Sequence, residues 1–567
     1  MKGIIDILKE RVTESPDRVI YNFLDYSTEQ PIGHEITTKM LFDNAKALAG
    51  ELLAKGAKKG DRVVILSLQD PGTLYAVYGA MMAGTLFTII PPPIDEGKVQ
   101  RFISVVKSCK PKFLISNFAL EHAQHAKIDV KKRLAREALL PALGLKRIYT
   151  DRLPNRTDPF SIHSAAPGDV IYLQYTSGST SDPKGVMVTM KNLMTNIAQV
   201  MDVYDFSTGN NLGMWIPFFH NLGLLIGIYL PVMALEGTAY FLPTLQFLQK
   251  PTLWLSMLAR YKINITAGPN SAYAVFQHIL NSRSAAEFDL SHVNLFINGS
   301  EFVDPLTIKN FAELFAVRSD AFAPGYGLAE NVCLATVAHR DYRTVRIHAD
   351  ALRKNRFVPC EHEEGKNRFV PCEHGEGKEI VSLGKPVKGL TMVAVDPESG
   401  KPCEDGRIGE IYIQGDSVCQ GYWGNVKDNE NFRARVEGLQ GEFYKTGDMG
   451  IIHRGNFYMT GRIKELIVVN GHNVYPGDIR SVLQKNIPAV PMGSAVFFPV
   501  EANKQEAVAI CLEADNVNLE FASIASRINH VMADHFEFSF YDVVFVKKDS
   551  LPRTDNRKIR THKVREH

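Results

Sequence analysis

Along the first hundred residues, apolar positions switch between helical and strand-like spacing. Leu41, Ala45, Leu48, Ala49 and Leu52 fall near a 3.6-residue period, which predicts an amphipathic helix over 37–56 closed by Gly56 and Gly60. Asp61-Arg62-Val63-Val64-Ile65-Leu66 follows as a strand, 72–84 as a helix, and 85–90 as a strand stopped by Pro91, Pro92 and Pro93. Another short buried strand is predicted at 113–116. Strand–helix alternation of this kind argues for a parallel α/β sheet. Further on, apolar residues 170–173 and 186–188 enclose a polar loop as two more strands, and Leu295-Phe296-Ile297 runs into the loop Asn298-Gly299-Ser300-Glu301. After Lys378 the pattern changes to short β segments at 391–395, 410–414, 449–452 and 457–460, the last two joined as a hairpin through Arg454-Gly455-Asn456. The last hundred residues alternate strands and helices again, with strands expected at 495–498 and 543–546.

Size and composition bound the answer. A chain of 567 residues exceeds what one core usually supports, so at least two domains are expected. With 45% hydrophobic and 22% charged residues it has an ordinary globular composition, and a net charge of +2 points to no nucleic-acid partner. The start of the chain lacks a signal peptide's apolar region, and the apolar run 222–235 is too short for a membrane span and contains Pro231. A cytoplasmic protein is the expectation. Seven scattered cysteines form no disulfide-like framework. Cys360-Glu361-His362 and Cys372-Glu373-His374 resemble paired metal ligands, but they lie in a tandem copy, 354–365 repeated as 366–377, so local duplication accounts for both. Their spacing matches no usual zinc site.

The loop between 173 and 186 carries the chemistry. Gln174-Tyr175-Thr176-Ser177-Gly178-Ser179-Thr180-Ser181-Asp182-Pro183-Lys184-Gly185-Val186 combines hydroxyl donors, glycines that let backbone N–H groups turn to an anion, and a lysine. Such a loop suits nucleotide phosphates. It is not the Gly-Lys-Ser/Thr loop that opens a helix, because Lys184-Gly185 leads into a β-branched run. A polar hairpin that binds nothing has the same local composition. The full string, however, closely resembles the phosphate loop of the adenylate-forming superfamily, and the Leu173-Gln174-Tyr175 lead-in resembles its fatty acyl-AMP ligase branch.

Other segments resemble that superfamily in family order. The resemblance implies that Thr176, Ser177, Gly178, Ser179, Thr180 and Lys184 hold phosphate, and that Gly299-Ser300-Glu301 and Gly325-Tyr326-Gly327 line the adenine site. It implies Glu330 as a Mg2+ ligand, Asp448 and Arg462 at the ribose, and Lys464 as the hinge. His220, in Pro217-Phe218-Phe219-His220-Asn221-Leu222-Gly223, matches a histidine beside the acyl pocket, and no aspartate stands there to hold a substrate ammonium. Lys558, near the chain end, matches a lysine that enters the active site, although Arg557 replaces the usual glycine before it. The implied fold is a large N-terminal domain (1–463) of two doubly wound subdomains plus a small β-barrel, followed by a mobile α+β domain (464–567). The implied reaction joins a fatty acid to ATP, giving acyl-adenylate and pyrophosphate, with ATP and Mg2+ required. Ile265 to Tyr273 and Asn473-Val474-Tyr475-Pro476-Gly477-Asp478-Ile479 lean towards the fatty acyl-AMP ligase branch, whose acceptor is the thiol of a separate acyl carrier protein. A fatty acyl-CoA synthetase is the competing reading, and a catalytically silent acyl-AMP- or carrier-binding module the third.

Overall fold

The computed structural model describes the chain except residues 1, 29, 94–95, 119–142, 155–158, 177–182, 205, 207–208, 361–376, 470–471, 488–494, 503–504, 515–519, 537, 549, 554–558, 560 and 567. The apolar runs of the first half form two layered sheets. One has six strands in the order Lys146–Tyr149, Phe113–Ser116, Arg62–Leu66, Leu86–Ile90, Val170–Tyr175, Gly185–Thr189, parallel except for the last pair. The other has nine, with Phe322–Gly327, Leu295–Asn298, Ile265–Gly268, Leu212–Met214, Ala239–Phe241 and Val19–Asp25 running parallel at its centre. Strands buried on both faces need apolar residues at every position, which is why these read as continuous runs.

The helix Thr38–Ala54 has the predicted stripe, and Thr37 caps it by accepting from the Met40 amide. The next helix, Pro71–Met82, is buried from Gly72 to Met82 on every side, as only a helix held between layers can be. Its Tyr78 hydroxyl donates to the Ile228 carbonyl at 2.8 Å, and Tyr21 donates to the same oxygen at 2.5 Å, so it ties the six-stranded half to the nine-stranded half. Ile228 belongs to a π-helix, Gly223–Tyr229, whose residues are all buried; the apolar run 222–235 becomes this helix followed by a short α-helix, Leu230–Met233. Among the described residues no helix is long and apolar enough to cross a membrane.

After residue 378 the chain builds a four-stranded antiparallel sheet, Leu390–Val395, Gly409–Gly415, Tyr444–His453 and Asn456–Arg462, beside the two-stranded ribbon Thr344–His348 with Gly377–Val381. Where a small barrel was expected, the first and last of the four strands stay at opposite edges. Arg454 (φ 51°) and Gly455 (φ 78°) make the hairpin turn, both left-handed as a two-residue turn matching the strand twist requires. From Ile467 the chain has a core of its own. Helices Pro476–Asn486 and Phe521–Phe536 contribute Ile479, Leu483, Ile528 and Met532, which pack with Phe497, Ile510 and Leu512 of a three-stranded sheet.

Candidate active site

The strand Phe322–Gly327, paired on both sides within the nine-stranded sheet, carries Tyr326 near its end, where the hydroxyl donates to Asp448 Oδ2 at 2.6 Å. Asp448 is buried, and its Oδ1 pairs with Arg462 Nε at 2.9 Å across neighbouring strands of the four-stranded sheet. Burial, and then the Asp448 charge, push the Tyr326 phenol well above its ordinary pKa, so it stays a donor. Arg462 keeps 54% of its side chain in solvent, which screens the pair. The Tyr326 ring packs edge-on against Phe457, with centroids 5.0 Å apart.

Glu330 lies in a short 3-10 turn, Ala329–Asn331, that ends in backbone strain. Val332 has φ 62° and ψ −64°, and the Cys333 amide donates back to the Asn331 carbonyl at 2.7 Å. This is a γ-turn of the strained hand, centred on a β-branched residue. Its surroundings fix it: Asn331 accepts from Ser417 Oγ (2.8 Å), and the Cys419 amide donates to the Glu330 carbonyl (2.8 Å). Gly327 permits the turn, because a Cβ there would lie 1.9 Å from the Cys333 carbonyl oxygen. Ser300, in the loop after Leu295–Asn298, is also left-handed at φ 69°. Strain of this kind persists where neighbours over-determine it, commonly at functional sites.

Glu330 Oε1 accepts the Tyr422 hydroxyl at 2.7 Å, and Tyr444 Oη is 3.0 Å from that hydroxyl. Tyr422 reaches the strand after Lys184 as well: it bridges Val186, and its neighbour Trp423 donates its amide to the Gly185 carbonyl at 2.8 Å. Lys184 Nζ sits 5.3 Å from the centre of the Tyr422 ring and 2.7 Å from Asp428 Oδ2. The Lys184 ammonium holds the Asp428 carboxyl below its usual pKa, and Lys464 adds to this. Lys184 and Glu330 are thus linked through Tyr422, a side chain that the motif reading did not single out, while Tyr326, Asp448 and Arg462 bond directly to one another.

A family model described as AMP-binding enzyme matches residues 8–423. The chain belongs to this family. As an AMP-binding enzyme it is 30% identical over 577 residues to the medium-chain-fatty-acid–[acyl-carrier-protein] ligase JamA of Moorena producens, covering 98% of this chain and 93% of that one. It is 28% identical to the long-chain-fatty-acid–AMP ligase FadD26 of Mycobacterium marinum, with 99% and 96% covered. Among solved structures, a fatty acyl-adenylate ligase from L. pneumophila, in complex with acyl adenylate and pyrophosphate, superposes with a TM-score of 0.75 at 26% identity, covering 100% of this chain and 96% of that one.

The remaining expected positions of this AMP-binding enzyme divide in two. Thr176 stands at the end of Val170–Tyr175, its amide donating to the Lys184 carbonyl at 3.1 Å, and His220 is half-buried with Nδ1 accepting from the Leu222 amide at 3.2 Å. Gly299 and Gly325 pack closely, as a Cβ on Gly299 would meet the Gly325 carbonyl at 3.0 Å, and Glu301 accepts from the Ser271 amide at 3.0 Å. Lys464 is exposed in the turn Ile463–Glu465. Ser177, Gly178, Ser179, Thr180 and Lys558 lie outside the described residues. Among the described cysteines, Cys109, Cys333, Cys403, Cys419 and Cys511 are free, but Cys360 is disulfide-bonded, a departure from the expected framework-free set.

Sequence reading gave no role to Tyr444, which opens the Tyr444-to-Asp448 segment, and missed Tyr422, Asp428 and Asn429. The last of these accepts the Tyr422 amide at 2.6 Å. Gly421-Tyr422-Trp423 offered no local signal beyond an aromatic pair after a glycine, and only their position against Gly185 gives them meaning.

Proposed function

We propose that this chain is a fatty acyl-AMP ligase: it joins a medium- or long-chain fatty acid to ATP as acyl-adenylate, releases pyrophosphate, and passes the acyl group to the phosphopantetheine thiol of a separate acyl carrier protein. The observation that carries the reading is the connected path from Lys184 through Tyr422 to Glu330 and Tyr444, with Tyr326, Asp448 and Arg462 beside it. Relatives along the full chain named as fatty-acid–AMP and acyl-carrier-protein ligases support the substrate class.

The carboxylate oxygen of the acid attacks the α-phosphorus, and the bond to the β-phosphate oxygen breaks. Two anions must approach, so positive charge has to be arranged beforehand. Lys184 stands at the loop that would face the phosphates, with Asp428 as its counter-ion. Asp448 and Arg462 take the ribose end, where each Asp448 oxygen retains a lone pair for a hydroxyl after bonding Tyr326 and Arg462. Glu330 suits Mg2+: it is a half-buried carboxylate, a hard oxygen donor, anchored at one oxygen and held by a strained turn. Mg2+ bound there would neutralise charge on the departing pyrophosphate. Lys558, carried by the C-terminal unit, would supply the last cation at the α-phosphate, and the division between the two units would fall at Lys464.

Fatty-acid-dependent pyrophosphate release tests the first step; its absence across acids of medium and long chain would overturn the proposal. Supplying CoA and a phosphopantetheinylated carrier protein in parallel separates the acceptors. Efficient acyl-CoA formation would make the protein an acyl-CoA synthetase instead.

A further inference from the structure

We propose that Tyr422 is a positioning residue which ties the Lys184 end of the site to the Glu330 end and orients the Glu330 carboxylate; this rests on the reading of Glu330 as a Mg2+ ligand. Tyr422 is 5% exposed and touches both groups with different parts of one rigid side chain. Its hydroxyl donates to Glu330 Oε1 at 2.7 Å, a charge-assisted bond, while its ring lies 5.3 Å from the Lys184 ammonium. Among the described residues, the bond from Tyr422 is the one hydrogen bond that the Glu330 carboxylate accepts. A carboxylate pinned at one oxygen has its plane set before a cation arrives, which is how outer partners tune metal ligands.

The position of Tyr422 is fixed from both sides. Its amide donates to Asn429, it bridges Val186, and the Met187 amide donates to the Gly421 carbonyl at 2.9 Å. These bonds attach residues 421–423 to the strand leaving the phosphate loop. Movement of that strand is therefore transmitted to Glu330 through one ring and one hydroxyl.

Tyr422→Phe keeps the ring and removes the hydroxyl. The measurement is Mn2+ binding, followed by electron paramagnetic resonance, to the full chain with a non-hydrolysable ATP analogue. The expected result is a rise of about 10-fold in the Mn2+ dissociation constant, with metal-free binding of the analogue unchanged. Glu330→Gln should weaken Mn2+ at least as much, and adding Tyr422→Phe to it should change nothing further, since the hydroxyl acts through that carboxylate. Wild-type Mn2+ affinity in Tyr422→Phe, or losses that add in the double variant, would overturn the proposal. Should Tyr422→Phe fold poorly by thermal melting, Tyr444→Phe, which removes the hydroxyl 3.0 Å away, should move Mn2+ binding in the same direction by a smaller factor, and no movement would count against it. Pyrophosphate release by the wild type is assayed alongside: its absence sinks the ligase reading, whereas its presence with a metal-indifferent Tyr422→Phe sinks this one alone.

Discussion

Asp448 and Asp478 are both acids held by a cation, yet they sit in very different frameworks. Asp448 belongs to a four-stranded sheet, pairs with Arg462 on the adjacent strand and takes the Tyr326 hydroxyl from a second sheet. Asp478, on the helix Pro476–Asn486, reaches out of its own unit to Lys378, with both side chains over four-fifths buried. Arg353 also donates to the His535 carbonyl, and the Tyr475 ring covers the α-carbon of Gly461. The proposed nucleotide side therefore sits in a shared core, whereas the C-terminal unit, with a core of its own, meets it among the described residues through polar and aromatic contacts such as these. Docking of that kind leaves relative motion as the default expectation. The role proposed for Lys558, on the C-terminal unit, would let such motion assemble and dismantle the cation cradle in one cycle.

The largest test of this contrast is Lys558→Ala. Adenylation, followed as pyrophosphate release, should fall by about 100- to 1,000-fold, since one preorganised charge at the reacting phosphate is worth about 3–4 kcal/mol. ATP binding by calorimetry should persist, because the fixed side is intact. Asp448→Ala attacks that fixed side instead. It strands the buried Tyr326 hydroxyl, and should cost about 1–3 kcal/mol in denaturant unfolding along with ATP affinity.

Gly461→Ala separates the two regions most directly. A Cβ there would meet the Tyr475 ring at 2.2 Å, and overpacking of this sort costs about 1–3 kcal/mol. Faster hydrogen exchange or proteolysis around residues 463–475, with the large body's melting unchanged, is the expected outcome. Equal destabilisation of both units would show that they are one cooperative body. The smallest effect concerns Asp428. Lys184 depresses its folded-state pKa below the ordinary carboxylate value of about 3.9, so the pair stabilises the protein above that pH and the contribution is lost as pH falls through the lower folded value. Asp428→Asn should flatten that acid limb by less than about 1 kcal/mol, read from denaturation midpoints between neutral and acid pH.

Much of this molecule is legible residue by residue. The stripe on Thr38–Ala54, the largely apolar parallel strands and the Arg454-Gly455 turn are local properties, set by side-chain spacing and by which residues tolerate left-handed backbone. The helix Pro71–Met82 could be predicted as a helix but not as the element between the two sheets. The run 222–235 reads as apolar and too short for a membrane span, and its π-helical turn follows no simple period. The pairing of Tyr422 with Glu330 spans 92 positions, and that of Lys378 with Asp478 spans 100. Local chemistry chose which residues could handle a nucleotide. Which aromatic, carboxylate and ammonium groups meet was decided by the packing of whole sheets, because contacts between distant segments depend on every layer that lies between them.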